Sequence, residues 1–151
     1  MKKIFFLIVF CVGSICFADE IQDVQNFFDD YIAAANSYSP NYFSYYTDNA
    51  KITRIVEKPD GSCETVNIPI DKYKQEAKKS LKLMKLSRYK NKYFNVKITP
   101  HGKDYKIAAM RMPSTSDYKV PAYFIIGKDS NGDYKIKEES MNTKVQSFLK
   151  S

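Results

Sequence analysis

KYFNVKITPHGKDYKIAAMRMPSTSDYKVPAYFIIGKDSNGDYKIKEESM, residues 92–141, alternates apolar and polar positions in four runs separated by turn formers, the pattern of a curved antiparallel sheet. In the first run Phe94, Val96 and Ile98 alternate with Tyr93, Asn95 and Lys97, and Pro100-His101-Gly102-Lys103 turns the chain into the second, residues 105–112. The third, residues 118–126, contains Pro121, which lacks the amide hydrogen a ladder needs and so points to a bulge or an edge. Asp129-Ser130-Asn131-Gly132-Asp133 leads into the last run, where Tyr134, Ile136 and Glu138 share one face and Lys135, Lys137 and Glu139 the other.

Upstream, the chain supplies cover for one face of such a sheet. Ile21, Val24, Phe27, Phe28, Tyr31, Ile32 and Ala35 recur at helical spacing, with Asp19, Glu20 and Asp23 near the start, where negative charge suits the helix dipole. Ser37, Ser39 and Pro40 end that helix near Asn36. Residues 41–46 read as a short second helix rich in aromatic rings, either a lid over a cavity or filling between helix and sheet. Residues 50–57 and 63–68 form a hairpin around Pro59-Asp60-Gly61. A third helix covers residues 71–86, with Asp71 as its expected cap and Tyr73, Ala77, Leu81 and Met84 as its buried stripe. Val145, Phe148 and Leu149 suggest a short closing helix.

Lys2 and Lys3 precede an apolar run over residues 4–12, then small residues and Ala18 before Asp19 and Glu20. That run is too short to span a bilayer, so residues 1–18 read as a signal peptide cleaved near Ala18, and the chain is expected to be exported, periplasmic or extracellular. Residues 19–151 make a single domain large enough to bury a core. Of three cysteines, two belong to the leader; Cys63 has no partner for an internal disulfide and is expected to be partly buried in its strand. The formal charge of +7 is uneven: residues 71–97 carry ten Lys or Arg against Asp71 and Glu76. Lys74, Lys78, Lys79, Lys82, Lys85 and Arg88 form the basic surface, either a solvated helix face or a footprint for an anionic membrane or envelope assembly. Nucleic acid is not expected, because the leader directs the chain away from it.

The order of elements resembles the NTF2-like (SnoaL-like, cystatin-like) superfamily. Its local echoes are Phe28-x-x-Tyr31-Ile32-x-Ala34-Ala35, Tyr45-Tyr46-Thr47-Asp48-Asn49-Ala50-Lys51-Ile52, and Gly132-Asp133-Tyr134-Lys135-Ile136. The resemblance implies an α+β cone, with a long N-terminal helix and two further helices packed on a strongly bent antiparallel sheet. It implies no single activity, since the superfamily hosts isomerases, dehydratases and many pocketed domains. Its ketosteroid-isomerase branch polarises a carbonyl with a first-helix tyrosine, which Tyr31 matches. The aspartate base of that branch falls on Arg54 here, a permanent cation.

Other chemistries find little support. Dehydratase branches use an Asp and His pair, and the one histidine, His101, sits in a hairpin turn; a Ser-His-Asp triad, a Cys-His pair and a zinc cluster fail for the same shortage. Asp129, Asn131 and Asp133 imitate a calcium loop, but Tyr134 stands where its glycine belongs and Ser140 where its bidentate acid belongs. No cofactor or metal is expected.

What remains is a polar pocket in the cone. With Tyr134, Ile136 and Glu138 facing inward, Glu138 needs a cation, and Arg54 and Arg111 are the candidates, with Tyr31, Tyr46 and Tyr123 around them. The alternative leaves Glu138 at the rim and both arginines on the sheet surface. The expected function is non-enzymatic binding of a small ligand or a protein partner, with dimerisation through the outer sheet face. An isomerase or dehydratase using Tyr31 with Glu138 or Asp48 as base, and an interaction module held at an anionic surface by residues 71–86, are the other readings.

Overall fold

The structure, a computed structural model, describes residues 13–150 of the 151. The expected leader lies outside them up to residue 12, and the residues from Gly13 belong to helix α1 (Gly13–Asn36). A 3-10 turn (Pro40–Tyr45) follows, then β1 (Tyr46–Glu57), β2 (Cys63–Ile68), α2 (Ile70–Leu86), β3 (Asn91–His101), β4 (Asp104–Pro113), β5 (Val120–Lys128), β6 (Tyr134–Thr143) and a closing 3-10 turn (Gln146–Lys150).

The strands form one six-stranded sheet in the order β2-β1-β6-β5-β4-β3. It is mixed, where a fully antiparallel sheet was expected: β1 and β6 run parallel. The connectivity explains the difference. α2 carries the chain from β2 at one edge to β3 at the other, and three antiparallel steps then bring β6 in alongside β1. Pro121 lies in an interior strand rather than at an edge, tolerated as the second residue of β5.

α1 buries Val24, Phe28 and Tyr31 against the sheet, the i, i+4, i+7 stripe of an amphipathic helix. Phe28 is fully buried and meets the rings of Phe124 at 4.9 Å and Tyr93 at 5.4 Å between centroids. The 3-10 turn is started by Pro40 after Ser39, whose hydroxyl accepts from the Asn41 amide, and it drives Tyr42 and Phe43 into the same core.

α2 is held less tightly. Pro69 occupies its cap position with no side-chain hydrogen bond, and Asp71 lies inside the first turn, where it meets the dipole but does not cap, contrary to expectation. Ile70 is buried at its start, the stripe of Tyr73, Ala77, Leu81 and Met84 is only half-buried, and Leu83 and Leu86 are 69% and 72% exposed. Cys63 is also exposed rather than partly buried, because it begins the edge strand β2.

Two bulges reverse the facing of side chains along their strands. In β3, Asn95 and Val96 oppose only Ala109, and Asn95 adopts a left-handed φ of 52°. Tyr93 before the bulge and Val96 and Ile98 after it therefore pack against the core, while Phe94 faces outward under the Lys119 ammonium, against the simple alternation expected. In β6, Ile126 pairs with Ile136 but Ile125 pairs with Glu138, so Lys137 is the extra residue. Ile136 and Glu139 then share the inner face, and Glu138 turns out. Asn95→Gly is expected to leave stability unchanged or slightly raised, whereas Asn95→Val loses about 1–2 kcal/mol by forcing a β-branched residue into left-handed backbone, read from urea midpoints.

Candidate functional site

Between α1, α2 and the concave sheet lies a cavity of about 770 Å³. Its walls come from Tyr31, Ile32 and Ala35 on α1, Tyr73, Ala77 and Met84 on α2, Arg54 on β1, Tyr93 on β3, Arg111 on β4, Glu139 and Met141 on β6, and Phe148 in the closing turn. Thus Tyr31, Arg54 and Arg111 come together here, and Tyr46 stands beside Tyr31 with their hydroxyls 2.7 Å apart. Tyr123 does not join them. It lines a shallow groove on the opposite face of the sheet, where the Lys106 ammonium lies 4.7 Å from its ring.

Glu138 also lies outside: its carboxylate meets Lys51 Nζ at 3.1 Å on the outer face, so the expected pairing of Glu138 with Arg54 or Arg111 is wrong. The β6 bulge is the reason, and its sequence neighbour Glu139 takes the place. Glu139 is fully buried, with Oε1 accepting from Arg54 Nη2 at 2.6 Å and Oε2 accepting from the Tyr46 hydroxyl, with the Tyr31 hydroxyl at 3.3 Å. Tyr46 donates to Glu139 Oε2, and the single Tyr31 proton lies within reach of both the Tyr46 oxygen and Glu139 Oε2.

The charges of this group are shared locally. Arg54 Nη1 donates to the Thr53 carbonyl at 2.9 Å, and the guanidinium carbon lies 5.4 Å from the Tyr73 ring centre and 5.8 Å from that of Phe148. Burial alone would lower the Arg54 pKa; the Glu139 charge and the nearby phenols outweigh it and hold the guanidinium protonated. Burial, followed by the Glu139 charge, raises Tyr31 and Tyr46 well above the ordinary tyrosine value. Tyr42 and Tyr93 are raised chiefly by burial, and Tyr73 is pushed up to about 12 by burial and then Glu139.

These raised values set an alkaline limit. A phenol with a folded pKa above its unfolded value near 10 contributes stability that is present below pH 10 and lost as pH climbs through the folded value, about 12 for Tyr73. The absorbance of phenolate is therefore expected to leave Tyr31, Tyr42, Tyr46, Tyr73 and Tyr93 un-ionised until the fold opens. Their simultaneous titration near pH 10 in a still-folded chain would contradict this packing.

The second arginine has a neutral setting. Arg111 Nη1 donates to Asn91 Oδ1 at 3.0 Å and to the Tyr89 hydroxyl at 3.3 Å, and Nη2 donates to the Asn142 carbonyl at 3.3 Å. Asn91 is fixed in turn by Asn36 at the end of α1, the backbone groups of Asn91 pairing with the Asn36 amide at 2.9 and 3.0 Å.

No protein-family model matches this chain, and no curated protein matches it. Solved structures do. An NTF2-like protein with a cystatin-like fold from Novosphingobium aromaticivorans superposes with a TM-score of 0.64 at 7% identity, over 89% of this chain and 92% of that one. The fold is NTF2-like. An NTF2-like protein of unknown function from Pseudomonas putida KT2440 gives a TM-score of 0.58 at 7% identity, over 80% and 84% of the two chains. A Catenulispora acidiphila protein solved in complex with S-DNPA gives 0.56 at 8% identity, over 87% and 98%.

Within this NTF2-like fold, Arg54, on which the expected isomerase base would fall, is directed at Glu139. Asp48, the other substitute base considered, is fully exposed and faces Lys74 at 3.7 Å. His101 is exposed at the β3–β4 turn, and Asp129 Oδ1 accepts from the amides of Asn131 and Asp133, closing its loop on itself. Of the basic surface, Lys79 pairs with Glu76, Lys78 lies over Phe43, and Lys82, Lys85 and Arg88 are exposed around Leu83 and Leu86. Sequence reasoning missed Glu139, Tyr42, Tyr73, Tyr89 and Tyr93 as wall residues; the last two sit around a bulged strand whose alternation misleads.

Proposed function

We propose that this is an exported, non-enzymatic NTF2-like domain whose cone cavity holds a small ligand. The observation that carries the reading is a cavity of about 770 Å³, within the range of small-ligand sites, whose buried carboxylate is already occupied on both oxygens by Arg54 and Tyr46. Both oxygens of that carboxylate are turned to the chain's own Arg54 and Tyr46 rather than held out to a substrate, which disfavours its use as a base. The leader-like residues 1–18 support export.

The test uses the neutral fluorescent probe N-phenyl-1-naphthylamine. Its emission is expected to rise on adding the purified chain and to stay low with Ala77→Trp, which places an indole in the cavity from α2. Absence of any rise with the wild-type chain overturns the binding reading. Proton exchange at the α-carbon of ketone substrates, lost in Tyr31→Phe, would favour an isomerase instead.

A second reading has its own observation. Leu83 and Leu86 are exposed between Lys82, Lys85 and Arg88, the composition of a helix that lies on an anionic membrane surface. Salt-sensitive sedimentation with phosphatidylglycerol vesicles, abolished by reversing Lys78, Lys79 and Lys82, supports it; indifference to vesicle charge removes it.

A further inference from the structure

Among the described residues, the cavity wall contains one buried charge with no opposite charge beside it. Arg111 is 7% exposed and takes part in none of the ion pairs there, whereas Arg54, buried to the same degree, has Glu139 at 2.6 Å. A guanidinium has five N–H donors, and Asn91, Tyr89 and Asn142 accept three from Arg111. All three acceptors are neutral. Nε is buried with no acceptor, and one hydrogen of Nη2 is left over. A buried cation surrounded by neutral dipoles is costly unless something outside the chain supplies the missing charge.

Two further observations point to an anion. α2, which covers the cavity, carries six lysines against Asp71 and Glu76, and although Lys72 and Glu76 both line the cavity the helix as a whole brings positive charge to it. The Arg111 side chain is also held in advance: Asn91, which receives Nη1, is locked to Asn36 by its own backbone. With Nη1 fully used and Nε sealed in the wall, the fixed guanidinium offers an anion its charge and the remaining Nη2 hydrogen. The same cavity is lined by the apolar side chains of Ile32, Met84, Met141 and Val145.

We propose that Arg111 binds the carboxylate of an amphipathic monocarboxylic acid whose apolar body fills the cavity. The proposal rests on the reading of the cavity as a binding site and adds the ligand's charge and the residue that recognises it. The geometry does not favour a polyanion, because Glu139 stands in the same wall.

Competition between decanoate and 1-decanol for N-phenyl-1-naphthylamine tests it on the full chain. Decanoate is expected to displace the probe at about tenfold lower concentration than decanol, the ratio that one charge-assisted pair supplies. Arg111→Met is expected to bring the two to parity by weakening decanoate alone, and Arg111→Lys to keep part of the preference. A probe that binds while the wild-type chain treats acid and alcohol alike overturns the carboxylate proposal and leaves the cavity reading standing. A preference that persists in Arg111→Met also overturns it, assigning the charge to the lysines of α2. A probe that never binds overturns both. Should Arg111→Met not fold, the wild-type ratio and its insensitivity to 0.5 M salt, expected of a buried pair (Debye length there about 4 Å), decide alone.

Discussion

Replacement of Glu139 by alanine is expected to lower stability by about 3–5 kcal/mol, among the largest effects of any single change in this chain. The loss comes from what is left behind. Arg54, 6% exposed, would keep its charge with Nη2 unpaired, and the Tyr46 hydroxyl would lose its acceptor in the same closed space. Removing both charges is a different matter: Arg54→Met with Glu139→Leu is expected to recover most of the deficit, because two apolar side chains need no solvation. Urea unfolding of the two single variants and the double variant gives the coupling directly. A Glu139→Ala chain within about 1 kcal/mol of wild type would mean that water reaches this pair.

Phe28→Ala is expected to lose a similar amount, about 3–5 kcal/mol, for an unrelated reason. The ring is fully buried where α1 crosses the sheet and touches Phe124, Tyr93 and Tyr31, with centroids 4.9, 5.4 and 6.2 Å away. Alanine there opens a void that rings anchored on three different elements cannot all close. Phe28→Leu, which keeps most of the volume, should lose less than about half as much. The distinguishing measurement is additivity: Phe28→Ala and Glu139→Ala share Tyr31 as a neighbour, so their combined effect should depart from the sum of the single effects.

The order of elements was legible in the sequence because it rests on local signals: the apolar stripe of α1, the Pro59-Asp60-Gly61 turn, and the Gly102 and Gly132 turns, where positive φ is required. The facing of side chains was legible only as far as the first bulge. Lys137 and Asn95 carry no strong mark of irregularity, yet each shifts its strand by one position and exchanges inner for outer residues. The shift in β6 moved the buried acid from Glu138 to Glu139, and the shift in β3 hid Tyr93. Arg111 lies on β4, which has no bulge, and its placement with Ile107 and Ala109 followed from alternation alone. Tyr123 missed for a plainer reason, since odd and even positions of β5 face opposite sides and Phe124 took the inner one. The parallel pairing of β1 with β6 depends on residues far apart in the chain, and no short window contains it.

That pairing bears on when the protein can fold. β1 is among the first strands made, and its inner neighbour is the last; Arg54 lies opposite Met141, and the acid that neutralises Arg54 arrives only with residue 139. Until then β1 has β2 alone beside it, an isolated hairpin of marginal stability with an open hydrogen-bonding edge and an unmatched cation. A chain delivered N-terminus first must therefore wait for its C-terminal strand before the sheet closes, which makes folding slow for its size and leaves the nascent strand in need of shelter. Truncation before β6 would accordingly yield no smaller stable core, only an unfolded or aggregating chain.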